Sequence, residues 1–138
     1  RMPRAVRPEP YIVESASPIV GRDGRLAEAL GIETTGGRFM PVLPRGAEVP
    51  ATRMLTFATA SEGQTEIRLH LLRGVADGVA ANHSLGWFRV GGLEPGPPGP
   101  SRVAVFFRVT SDGIALAAVD ADGSRVLPLE ASGPPVGP

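Results

Sequence analysis

At 138 residues the chain is long enough to close one hydrophobic core and too short to add a nucleotide-binding engine to it. Fourteen basic residues, all of them arginine, balance fourteen acidic ones, which excludes the one-signed field that draws a protein onto nucleic acid or a membrane surface. Cysteine is absent, so disulfides, thiolate metal sites and cysteine nucleophiles are excluded as well.

Residues 1–24 place Pro and Gly around two short apolar pieces, Tyr11-Ile-Val13 and Pro18-Ile-Val20. The pattern reads as a linker or an edge-strand extension. The arginine-rich start is not followed by the apolar core of a signal peptide, and no apolar run approaches the about 18 residues of a membrane span. A soluble, cytoplasmic protein is therefore expected. Residues 24–30, Gly-Arg-Leu-Ala-Glu-Ala-Leu, have helix-forming composition, but at that length they predict a helical turn or two at most.

Residues 25–130 carry the pattern of one domain with a period of two. Ile67, Leu69 and Leu71 alternate with Glu66, Arg68 and His70, and Val103, Val105, Phe107 and Val109 alternate with Ala104, Phe106 and Arg108. Such alternation predicts half-buried strands. Turn residues separate them at Gly36-Gly37, Pro44-Arg45-Gly46, Glu62-Gly63, Asp77-Gly78, Gly91-Gly92, Ser111-Asp112-Gly113 and Asp122-Gly123, where glycine, asparagine or aspartate supplies the geometry of a tight turn. The prolines of Glu94-Pro-Gly-Pro-Pro-Gly-Pro100 cannot donate to a sheet ladder, so that stretch is expected to be a loop. Residues 131–138 end in Gly-Pro-Pro-Val-Gly-Pro and are expected to be a disordered tail. The fold class predicted is an all-β, two-sheet antiparallel β-sandwich.

Chemistry-bearing residues are few. His70 and His83 are the only histidines and have no carboxylates at metal-ligand spacing, so each reads as a satisfied or solvated side chain. Asp120-Ala-Asp-Gly123 begins like a calcium loop but lacks the later ligands and reads as a hairpin turn. Ser111 and Ser124 have no partnered histidine and no nucleophile elbow. Trp87-Phe88 without clustered basic residues is a poor stacking platform for nucleic acid, and at least one of the two rings is expected in the core. With no assembled nucleophile, acid/base pair or metal set, no enzymatic activity is expected.

Five segments share one further property. Leu30-Gly-Ile-Glu-Thr-Thr-Gly-Gly37, Pro44-Arg45 with Val49-Pro50, Phe57-Ala-Thr-Ala60 with Gln64, Asn82-His-Ser-Leu-Gly86 with Phe88, and Val103 onward to Asp112-Gly-Ile114 resemble, in order and spacing, the signature segments of the substrate-binding β-domain of DnaK-type chaperones, the seventy-kilodalton heat-shock family. The resemblance runs from about residue 30 to about residue 119. It implies two packed four-stranded sheets whose loops enclose a channel for an extended peptide. By the same resemblance Ile32, Phe57, Ile67, Leu69 and Val103 stand at the pocket for a central leucine-like side chain, and Thr35 and Ala60 form the arch over the peptide.

The same comparison exposes departures. Val20-Gly-Arg-Asp-Gly-Arg25 replaces the acidic, leucine-rich linker of the family, and the helical lid has no counterpart, so lidless binding is expected. Glu62 matches an acidic lid-latch position while Pro98 replaces its basic partner, and Thr35 replaces the methionine usual in bacterial arches. Arg45 and Asp112 match positions that face the ATPase domain. The expected function is therefore chaperone-like binding of extended hydrophobic, leucine-centred peptides or unfolded proteins. No cofactor is expected in this chain, ATP entering only through a separate nucleotide-binding domain acting with it. The alternative is a degenerate docking or structural module whose cleft is closed or self-occupied. Arg125-Val-Leu-Pro-Leu129 and Tyr11-Ile-Val13 are themselves leucine-centred or apolar extended segments, and either is a candidate for self-binding in such a cleft.

Overall fold

The computed structural model describes residues 10–13, 20–96, 99–120 and 122–133. Along them run β1 (Tyr11–Ile12), β2 (Ala29–Thr34), β3 (Arg38–Leu43), β4 (Ala51–Thr59), β5 (Ile67–Gly74), a 3₁₀ turn (Val79–Ala81), β6 (His83–Val90), β7 (Gly99–Thr110), β8 (Gly113–Asp120) and β9 (Leu129–Ser132). They form two antiparallel sheets, one ordered β1-β8-β7-β4 and the other β3-β2-β5-β6-β9. The alternation in the sequence dictates which face of each strand turns inward. Val103, Val105, Phe107 and Val109 are fully buried, and Ile67, Leu69 and Leu71 are buried across the sandwich, all in one core cluster. The sandwich is the expected fold, with sheets of four and five strands where two of four were expected.

Several expectations change in the structure. The segment 24–30 forms no helix: Arg25 bridges Glu48, Leu26 bridges Val20, and Ala29-Leu30 open β2. Burial of Leu26 and Leu30 on the sandwich core outweighs a weak local propensity. The one helical element among the described residues is instead the 3₁₀ turn at Val79–Ala81, where the sequence suggests only a loop. At the C-terminal end, Ala131 and Ser132 belong to β9, paired with Phe88 and Trp87, so the strand continues past the residue at which a tail was expected to begin. Residues 1–9, 14–19 and 134–138, with their expected linker and tail character, lie outside the described residues.

The two segments expected as cleft occupants are strands of the sandwich itself. Tyr11-Ile12 pair with Leu116 and Ala115 at one sheet edge, and the Val13 amide continues the ladder to the Ile114 carbonyl at 3.0 Å. In the other segment Val126 bridges Val119, the Leu127 amide donates to the Ala118 carbonyl at 3.0 Å, and Leu129 pairs with Val90. Leu127 is 2% exposed. An apolar extended segment satisfies a sheet edge and a core as readily as it satisfies a peptide groove, and here both segments do the former. The Asp120 to Arg125 turn is the expected hairpin: Gly123 donates to the Asp120 carbonyl, and the Asp120 carboxylate accepts from the Ser124 hydroxyl and the Arg125 amide.

Candidate functional site

The strand register sorts the loops between two ends of the sandwich. Ile32 on β2 faces Leu71 on β5, and Ile67 on β5 faces Val90 on β6. Phe57 near the end of β4 faces Val103 near the start of β7. The β2–β3 turn, the β4–β5 loop and the β6–β7 loop consequently gather at one end. Thr35 sits exposed in the first of these, and Ala60, also exposed, opens the second. Arg45 and Asp112 lie at the opposite end, both exposed, in the β3–β4 connection and the β7–β8 turn.

Each of the loops bearing Thr35 and Ala60 is propped by a neighbouring loop. The β5–β6 loop runs back to the β2–β3 turn, where Phe39 donates to the Asp77 carbonyl at 2.8 Å and Val79 to the Gly37 carbonyl at 2.9 Å. A small second core of Ala29, Phe39 and Leu72, with Val79 packed on it, lies beneath. Asn82 stiffens this loop from inside, accepting from the Ala76 amide and donating to the Ala76 and Gly78 carbonyls. Its side chain fills the space where a Cβ on Gly74 would stand, 1.9 Å from Asn82 Oδ1, which accounts for glycine at that position. On the other side Gly63 donates to the Gly96 carbonyl at 2.7 Å and Leu93 to the Thr65 carbonyl at 3.0 Å, tying the β4–β5 loop to the β6–β7 loop. Gln64 closes the β4–β5 loop on itself, its Oε1 accepting from the Ala60 and Ser61 amides.

Beneath these loops, Ile32, Ile67, Leu69 and Val103 all belong to the main core cluster, and Phe57 packs half-buried against it. The structure thus puts all five residues in or against one apolar core between the sheets, four of them at 8% exposure or less. Glu62 is exposed in the β4–β5 loop, and Pro98 lies outside the described residues. Phe88 is the core member of the aromatic pair, at 3% exposure, with Tyr11 edge-on to it at 5.8 Å.

On the outer face of the five-stranded sheet the structure assembles a group that the sequence reading did not. His70 is buried, with Glu33 Oε1 2.7 Å from its Nδ1, Ser84 Oγ 2.7 Å from its Nε2, and Trp87 stacked on the ring. The histidine is satisfied, as expected, but its partners lie 37 and 14 residues away in the chain. Only the strand register brings them together. The legible signal was the position of His70 on a strand between two others, one bearing an acid and one a hydroxyl. Among the described residues no helix is long and apolar enough to cross a membrane, and no acid, histidine or cysteine cluster is suited to hold a metal ion.

A family model described as Hsp70 protein matches residues 26–126. The chaperone protein DnaK of Thermosipho melanesiensis is 41% identical over 85 residues, 62% of this chain and 14% of that protein. The chloroplastic stromal 70 kDa heat shock-related protein of Pisum sativum is 38% identical over 93 residues, 67% of this chain and 13% of the relative. The chloroplastic heat shock 70 kDa protein 6 of Arabidopsis thaliana is 37% identical over the same length and similar shares. The matched part thus spans roughly a seventh of the length of these curated relatives.

Proposed function

This chain belongs to the Hsp70 family, and we propose that within it the sandwich holds extended hydrophobic peptide segments between the β2–β3 turn and the β4–β5 loop. The observation that carries the proposal is the paired bracing of those two loops. Each has its own hydrogen-bonded prop, from Asp77 and Val79 on one side and from Leu93 and Gly96 on the other, while Thr35 and Ala60 stand exposed on them above the patch of Ile32, Phe57, Ile67, Leu69 and Val103. Propped loops of this kind stay poised at little ordering cost when a ligand arrives.

Binding would draw on two terms. An extended peptide presents backbone donors and acceptors at every residue, and loop main chain can meet them for about 0.5–1.5 kcal/mol per bond whatever the sequence. One leucine-sized side chain entering the apolar patch adds about 1.5–3 kcal/mol. Several backbone bonds and one buried leucine, less ordering costs, correspond to roughly micromolar affinity. Because Ile32, Ile67, Leu69 and Val103 are almost fully covered in this structure, entry of that leucine requires the Thr35 and Ala60 loops to part. An ATPase domain acting with this one elsewhere in the parent protein would bear on the opposite end, where Arg45 and Asp112 are exposed.

The same burial favours a second reading, a docking or structural module whose cleft stays closed. Fluorescence anisotropy with a leucine-rich heptapeptide separates the two. The first reading predicts roughly micromolar binding, with Ala60→Trp, on the exposed loop, weakening it about tenfold or more by obstructing the entrance, and Phe57→Ala weakening it through lost apolar contact. A folded wild-type protein that leaves the peptide tumbling unbound would discard the peptide-holding reading in favour of the closed module.

A further inference from the structure

The outer face of the five-stranded sheet carries an arrangement that peptide holding does not use. Glu33 on β2, His70 on β5 and Ser84 on β6 lie in line across three neighbouring strands, joined by two contacts of 2.7 Å. A carboxylate can only accept, so the hydrogen shared with Glu33 sits on His70 Nδ1. In the neutral ring Nε2 then carries a lone pair, and the Ser84 hydroxyl donates to it. Carboxylate, imidazole and serine stand in the order in which a general base activates a nucleophile.

The imidazole is also held in place. Trp87 stacks on it with ring centroids 4.5 Å apart and planes 8° from parallel, and His70 is 9% exposed. Ser84, in contrast, is exposed. The pairing of β5 with β6 slips between Leu71 and Leu72, which face Gly86 and Ser84. Such a bulge re-aims the side chains beside it. Gly86, at φ +119°, donates its amide to Ser84 Oγ at 3.3 Å and steadies the oxygen. β9 ends opposite Trp87, so residues 83–86 have no strand on that side among the described residues.

We propose that Ser84 is a base-activated nucleophile that accepts acyl groups from small activated esters, with His70 as the general base and Glu33 as the positioning residue that fixes the imidazole. Ser84 Oγ bonds to the ester carbonyl carbon as its proton passes to His70 Nε2. The bond from that carbon to the leaving oxygen breaks, and the imidazolium returns the proton to the departing alcohol or phenol. The product is a serine ester, which water hydrolyses through the same base to restore Ser84. Nothing is oxidised or reduced.

Intact-mass spectrometry of the full chain after incubation with p-nitrophenyl acetate tests this. The chain contains neither lysine nor cysteine and a single tyrosine, so competing acylation is confined to few positions, and peptide mapping separates those from Ser84. A single acetyl group on Ser84 is expected, absent from Ser84→Ala and formed about tenfold or more slowly in His70→Gln and Glu33→Gln. Circular dichroism establishes that each variant is folded. Glu33→Gln keeps an oxygen able to accept from Nδ1 and removes only the charge, so it carries the decision should His70→Gln unfold. Absence of acetyl on Ser84 in the folded wild-type chain overturns the proposal, and so does an adduct that forms equally fast in Glu33→Gln.

Discussion

Leu127 offers the sharpest test of whether residues 125–132 are part of the fold or a ligand of it. Its side chain is 2% exposed within the main core, and its amide is bonded to the Ala118 carbonyl. Truncation in Leu127→Ala removes the transfer free energy of a buried leucine and leaves a cavity that β8 and β9 can only partly close. For a site this enclosed the loss is about 3 kcal/mol, within the range of about 2–5 found for such substitutions. A domain of ordinary stability holds about 5–15 kcal/mol in total, so the variant should fold but be visibly weakened. At a urea dependence of about 1.5 kcal/mol per M the midpoint falls by about 2 M. Val126→Ala, one residue away and 41% exposed, should cost no more than about 0.5 kcal/mol. Equilibrium urea unfolding of both variants, together with heptapeptide anisotropy, gives the readout. If Leu127→Ala matched Val126→Ala in stability and bound added peptide more tightly than wild type, the segment would be an occupant displaced from a groove, and the integral-strand account would fail.

Two other substitutions probe the loops. Asn82→Ala removes three hydrogen bonds inside the β5–β6 loop and should cost about 1–3 kcal/mol, with hydrogen exchange accelerating at Phe39 and Val79, whose amides depend on that loop. Unchanged exchange at those amides would show that the loop is held by other means. In the β8–β9 turn, hydrogen bonds from the Ser124 side chain and then its amide hold the Asp122 carboxyl below its ordinary value of 3.8. A depressed folded-state pKa stabilises the fold above the unfolded value and loses that contribution as pH falls through the folded one. Ser124→Ala should therefore move the Asp122 midpoint up toward 3.8 in an NMR titration, and a midpoint that does not move would exclude the hydroxyl as the main cause.

Much of the architecture was legible in the residues. The alternation of Val103 to Val109 specified which side of β7 faces the core, because a period of two puts those four β-branched or aromatic side chains on one face and leaves Ala104, Phe106 and Arg108 on the other. The glycines at 36–37 and 63 and the Ser-Asp-Gly at 111–113 marked real turns. Five ordered segments pointed to the family without coordinates. Residues 24–30 and 125–129 misled for a common reason: a short apolar segment looks the same whether it becomes a helical turn, an edge strand or a bound peptide. The outcome depends on which edge or core lies within reach, as Val119 and Val90 do for Val126 and Leu129.

The sequence by itself determined the strands, their inward faces and the apolar character of Ile32, Phe57, Ile67, Leu69 and Val103, since these depend on residue type and period alone. Only the tertiary structure decided how deeply Ile32, Ile67, Leu69 and Val103 are covered, that Asp77 and Gly96 prop the loops bearing Thr35 and Ala60, and that Glu33 and Ser84 meet His70. Those are contacts between strands and loops distant in the chain, and their geometry is set by sheet register and bulges, which no local pattern encodes.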